Sequence, residues 1–155
     1  EPMAGNVIPT GGPTTGQAAK ICNNLMLFIN LAATAEGAVL ADRLGLDKQV
    51  FWDIASVSSG DSWALRTWYP VPGVVETAAS NNGFEPTFTT ELANKDINLA
   101  IAAARDTGTP LEIGEHVQQL FARLIDAGQS GKDCSMIVKL VDGSLAGTPD
   151  QVPAP

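Results

Sequence analysis

TGQAAKICNNLMLFINLAATAEGAVLADRL, residues 15–44, is the stretch on which the fold turns. Ala18, Ile21, Cys22, Leu25, Met26, Ile29, Ala32 and Ala33 recur at steps of three and four, the spacing of one helical face. Thr14 or Thr15 can cap the start, and Gly45 stands past the end, where a left-handed backbone is tolerated. About 30 residues at ~1.5 Å each make a helix of roughly 45 Å, longer than a small domain is wide. A helix this long and this apolar all round needs neighbours on several sides, so the sequence predicts a central axis. Asn30, Thr34, Glu36 and Gly37 interrupt the apolar run at residues 25–39, which reads as a core helix and not as a membrane span.

Working outward, Asp47 caps a helix expected over residues 48–57, with Val50, Phe51 and Ile54 on one face. SSGDS at residues 58–62 is a turn leading into a short helix at Trp63, and residues 69–87 are irregular. Further helices are predicted over residues 89–105, closed by Gly108, and over residues 111–127, opened by Pro110 and closed by Gly128. Asp133 caps a last one reaching about Val141. No stretch alternates with period two. The expected fold is all-α, a multi-helix bundle around one long central helix. Residues 1–14, rich in Gly, Pro and Thr, read as a connector; residues 15–144 form the helical domain; residues 145–155 read as a disordered Pro-rich tail.

The 155 residues carry 17 acidic against 9 basic side chains, a formal charge of −8 that repels phosphate backbones and argues against nucleic acid as a partner. Cys22 and Cys134 offer neither a zinc spacing nor a disulfide framework, so no metal is expected. Both lie in apolar helical patterns and are predicted to be buried, reduced thiols of an intracellular protein. No Gly-rich dinucleotide turn, P-loop, HExxH or GxSxG motif is present.

Three constellations carry potential chemistry. Lys20 sits in the first turns of the long helix, where the partial positive charge of the N-terminus disfavours a cation. Asn23 and Asn24 follow one turn on, on its side of the helix. A lysine beside amides can bind a carboxylate or move a proton; by spacing alone the commoner reading is a surface lysine that solubilises the helix. Phe88, Leu92 and Lys95 fall on one face of the predicted fourth helix with Asp96 adjacent, which also suits an ordinary amphipathic helix. The run Ser58-Ser59-Gly60-Asp61-Ser62-Trp63, with Pro70-Val71-Pro72-Gly73-Val74 beyond, can line a small pocket with an indole, or place the indole as a core plug. His116, the single histidine, has no dyad partner in view and reads as structural.

Taken together, GQAAKICNN (residues 16–24), SSGDSW…YPVPGV (residues 58–74) and FTTELANKD (residues 88–96) resemble the 3-hydroxyisobutyrate dehydrogenase family of β-hydroxyacid dehydrogenases. The resemblance runs from about Gly11 to Leu140. It implies an all-α C-terminal domain, as in 6-phosphogluconate dehydrogenase-like enzymes, joined by the long helix to an N-terminal Rossmann domain, with the active site in the cleft between. Residues 1–14 would be the connector from that Rossmann domain, whose glycine motif is missing from this chain. By motif position Lys20 is implied to be the catalytic acid–base. Asn23 and Asn24 would bind substrate, as would Phe88 and Trp63, and Lys95 and Asp96 would line the cofactor side. The implied cofactor is NAD, with NADP not excluded, and the implied reaction oxidises 3-hydroxyisobutyrate to methylmalonate semialdehyde. The fragment alone is expected to be inactive. Expected partners are a small hydroxy acid, the Rossmann domain and further copies of the chain as a homodimer or larger, with no membrane. The expected place is the cytoplasm, or the mitochondrial matrix in a eukaryote. A related semialdehyde reductase, a helical dimerisation module and a non-catalytic binding protein are the competing readings.

Overall fold

The computed structural model describes residues 7–145. Most of the tail and the first six residues of the connector lie outside that range. The first helix, α1, spans Thr15–Arg43, 29 residues. Neither Thr14 nor Thr15 caps it in the expected sense: the Thr15 hydroxyl donates back to the Gly12 carbonyl at 2.7 Å, a turn that leads the chain into the helix. The end is as read. Gly45 takes φ 80°, and the amides of Gly45 and Leu46 return to Asp42 and Ala41 at 2.9 Å each, closing the last carbonyls.

α2 (Lys48–Ala55) is capped by Asp47, whose carboxylate accepts from the Gln49 and Val50 amides at 2.9 and 3.1 Å. α3 (Trp63–Thr67) is capped by Ser62. An irregular stretch carries a 3-10 turn at Ala79–Asn82 and ends in two consecutive left-handed residues, Gly83 and Phe84. α4 (Thr90–Thr107) starts on the Thr89 hydroxyl and stops at Gly108, φ 67°. α5 (Glu112–Asp126) follows, then a 3-10 turn at Cys134–Ile137 that runs into α6 (Val138–Val141).

α1 is the axis, and all five other helices pack on it. By length and composition it could cross a membrane; here Phe28, Leu31 and Ala35 are fully buried against protein. They meet Ala93 and Ile97 of α4, Val117, Phe121 and Leu124 of α5, and Cys134, Ile137 and Val138 in the main core. A second, smaller core joins Ala38, Ala55, Leu65 and Tyr69. The Tyr69 hydroxyl has no hydrogen-bond partner among the described residues, and burial pushes its pKa up to about 12.

Two expectations about faces are corrected. The buried stripe of α1 is Phe28, Leu31, Ala32, Thr34, Ala35, Ala38 and Ala41, whereas Cys22, Met26 and Ala33 are exposed. A helix apolar on every side has no face that periodicity can select; the arrival of α4 and α5 selects it. On α2, Phe51 and Ala55 form the seam with α1, where Gly37 leaves room for the Phe51 ring, while Val50 and Ile54 are exposed.

Candidate active site

Lys20 stands on the second turn of α1, exposed, with no hydrogen bond or ion pair among the described residues. One turn on, the Asn24 amide donates to the Asp96 carboxylate of α4 at 2.8 Å. The Asn23 amide donates to the Asn24 carbonyl oxygen at 3.3 Å. Gln17, Lys20, Ile21, Asn24, Asp96 and Leu99 line one narrow notch between α1 and α4. Thus Lys20, Asn24 and Asp96, read from two separate motifs, are brought together, and the Asp96–Asn24 bond leaves the Asn24 carbonyl side turned toward Asn23.

Asn23 also opens onto a second hollow, of about 360 Å3, with Met26, Leu27, Asn30, Trp63 and Ala64. Trp63 is 53% exposed there, so it is a wall and not a core plug. Its ring packs edge-on against Trp68 at 5.0 Å; Trp68 lies 5.9 Å from Phe88, and Phe88 lies 6.0 Å from the buried Phe28. Phe88 is half-buried and precedes the N-cap of α4, so it does not share a helical face with Leu92 and Lys95. Lys95 is exposed and makes no ion pair among the described residues. His116 is exposed on α5 and lies outside both hollows.

A larger apolar hollow, about 600 Å3, flanks the notch and is lined by Ile21, Cys22, Leu25, Ala100, Ala104 and Leu111. Cys22 is therefore an exposed thiol, contrary to the sequence expectation, whereas Cys134 is buried as expected. Sequence reasoning also missed Asn30 and Trp68. Asn30 lies seven residues after Asn23, so helical spacing could have placed it on the same face. Nothing local marks Trp68.

A lysine without an ion pair among the described residues, beside a carboxylate-anchored amide, is chemically able to bind a small polar group or move a proton. Residues 14–141 match the family model described as NAD-binding of NADP-dependent 3-hydroxyisobutyrate dehydrogenase. A probable 3-hydroxyisobutyrate dehydrogenase of Mycobacterium tuberculosis is 42% identical over 138 residues, covering 89% of this chain and 47% of the relative. The mitochondrial 3-hydroxyisobutyrate dehydrogenase of Homo sapiens is 40% identical over 139 residues, 90% of this chain and 41% of the relative. A solved structure of the Mycobacterium tuberculosis 3-hydroxyisobutyrate dehydrogenase with L-serine superposes with a TM-score of 0.85 at 40% identity, covering 90% of this chain and 47% of that one. The chain belongs to the 3-hydroxyisobutyrate dehydrogenase family of oxidoreductases and corresponds to its all-α C-terminal domain. It spans less than half the length of these relatives.

Proposed function

We propose that this chain supplies the helical half of the active site of an NAD-linked dehydrogenase that reversibly oxidises 3-hydroxyisobutyrate to methylmalonate semialdehyde, a step of valine catabolism. The observation that carries the reading is the convergence of Lys20, Asn24 and Asp96 in one notch, with the Asn24 amide on the Asp96 carboxylate. The names of the relatives support the substrate. So does the L-serine that accompanies the solved Mycobacterium tuberculosis relative, since serine is itself a small 3-hydroxy acid.

In oxidation the Lys20 amine takes the proton of the substrate hydroxyl, and in reduction it returns it to the carbonyl oxygen. Asp96 restrains the Asn24 amide, which holds the substrate beside Lys20; Asn23 extends the amide surface. Trp63 shapes the substrate pocket beside Asn23, and Phe88 backs it through Trp68. NAD, when bound, supplies the hydride acceptor. Lys95 and Asp96 suit its nicotinamide side, but the described residues include no strand and Gly-rich turn to cradle the phosphates. That cradle, and the choice between NAD and NADP, belong to a nucleotide-binding half. The chain alone is accordingly inactive, and the complete protein works in the cytoplasm, or in the mitochondrial matrix of a eukaryote.

The test is NAD reduction by the complete dehydrogenase with 3-hydroxyisobutyrate, with Lys20→Ala run beside it. The variant loses roughly 10²-fold or more in turnover with its helical circular dichroism unchanged. A parent that acts only on another short hydroxy acid keeps the mechanism and changes the substrate to that of a related semialdehyde reductase. Equal turnover in parent and variant removes the role of Lys20.

A further inference from the structure

The Asp133 side chain is fully buried and its carboxylate accepts five hydrogen bonds, divided between its two oxygens. Oδ2 takes the Thr87 amide and hydroxyl at 2.8 Å each and the Phe88 amide at 3.2 Å. Oδ1 takes the Ser135 amide at 3.0 Å and hydroxyl at 2.6 Å. The main chain repeats the join: the Asp133 amide donates to Phe84, Cys134 to Phe88 and Thr90 to Lys132. Phe84, at the start of this latch, is buried with φ 59°. Bulky L residues rarely adopt that conformation, and it persists where the surroundings over-determine it.

Burying a carboxylate is costly unless its oxygens are hydrogen-bonded, and five donors satisfy this one. Their placement matters more than their number. Every donor on Oδ2 comes from Thr87 and Phe88, the two residues just before the N-cap of α4. The Phe88 ring, whose backbone is thereby set, lies between Phe28 of α1 and Trp68, and Trp68 backs Trp63. Trp63 walls the hollow that Asn23 and Asn30 line.

We propose that Asp133 is a positioning residue for the active site: its carboxylate fixes the backbone at Thr87 and Phe88, and through the Phe88 ring it sets the Trp68–Trp63 pair that walls the hollow beside Asn23. The role in substrate binding rests on the dehydrogenase reading of the site; the positioning of the rings does not. The two oxygens act unequally. Oδ2 holds the aromatic run, whereas Oδ1 holds only the 3-10 turn at Cys134–Ile137.

Asp133→Ala strands five donors, and loss of fold would mask loss of position. Thr87→Val and Ser135→Ala each remove one hydroxyl donor, from opposite oxygens of the same carboxylate. The primary readout is near-UV circular dichroism at the tryptophan bands, with Trp52 left in place because its indole donates to the Leu65 carbonyl of α3, the helix that carries Trp63. Thr87→Val weakens the signal of the pair, whereas Ser135→Ala leaves it at the parent amplitude, with both variants still unfolding cooperatively. In the complete dehydrogenase Thr87→Val raises KM about threefold or more with kcat unchanged, and Ser135→Ala leaves both constants alone. Equal spectra for the two variants, or a larger loss in Ser135→Ala, overturn the proposal. A changed Thr87→Val spectrum in an enzyme inactive on every hydroxy acid upholds the positioning and sinks the dehydrogenase reading instead.

Discussion

The Cys134 thiol has no exposure to water. Burial, then the neighbouring Asp133 charge, raise its pKa well above the ordinary 9.0, against a smaller opposing effect of hydrogen bonds from the Cys134 and Ser135 amides. The unfolded chain releases this proton first as pH rises, so the stabilisation from a neutral thiol is whole below pH 9 and is lost progressively above it, by up to about 1.4 kcal/mol per pH unit. Urea unfolding at pH 7 and pH 10 should show a smaller alkaline loss in Cys134→Ala than in the parent; equal losses would assign the effect elsewhere. Tyr69 shifts in the same direction, but its window opens only above the ordinary phenol value of 10.0. At this scale Lys20 was legible because a cation at a helix start is a local anomaly. The Asn24–Asp96 bond was not, since its partners stand 72 positions apart.

Helix ends follow from short-range chemistry. Asp47, Thr89, Gly108 and Gly128 each do locally what their residue types favour, and the boundaries they mark hold to within a few residues. Helix faces depend on what arrives from elsewhere. Gly114 of α5 is the clearest case, because a Cβ there would lie 2.9 Å from Cδ1 of Leu25 and 3.5 Å from the Leu111 Cβ. Gly114 stands in the first turn of α5, and the Leu25 distance itself marks the close approach of α5 to α1. Gly114→Val overpacks that seam and should destabilise by about 1–3 kcal/mol in thermal or urea unfolding. Gly114→Ala should be milder, because the Leu25 methyl can rotate away while the helix gains propensity. A valine variant as stable as the parent would mean that the seam is looser than these distances imply.

The molecule as a whole leaves much apolar surface uncovered. The 600 Å3 hollow beside the notch is lined mainly by apolar side chains, with Thr14, Gln17, Thr107 and Thr109 among them, and Leu40, Leu44, Val50, Ile54 and Val57 are exposed at the other end of α1, on α2 and just after it. Exposed apolar side chains in such number suit an interaction surface. The chain is expected to associate as a homodimer or larger, and a nucleotide-binding half is the further partner of the proposed function. Sedimentation at micromolar concentration tests the first; a monodisperse monomer at every concentration would remove it.

The sequence by itself determined the all-α class, the long axis, most helix termini and the anomalous lysine. Each of these rests on interactions within one or two turns of chain. Tertiary structure alone decided which stripe of α1 is buried, that Cys22 faces outward, that Asp96 restrains Asn24, and that Asp133, readable as a cap, is also the latch of the Phe88 segment. The physical reason is range. Asp133 meets Thr87 across 46 residues, and a carboxylate's second oxygen leaves no local mark in the sequence that supplies its donors.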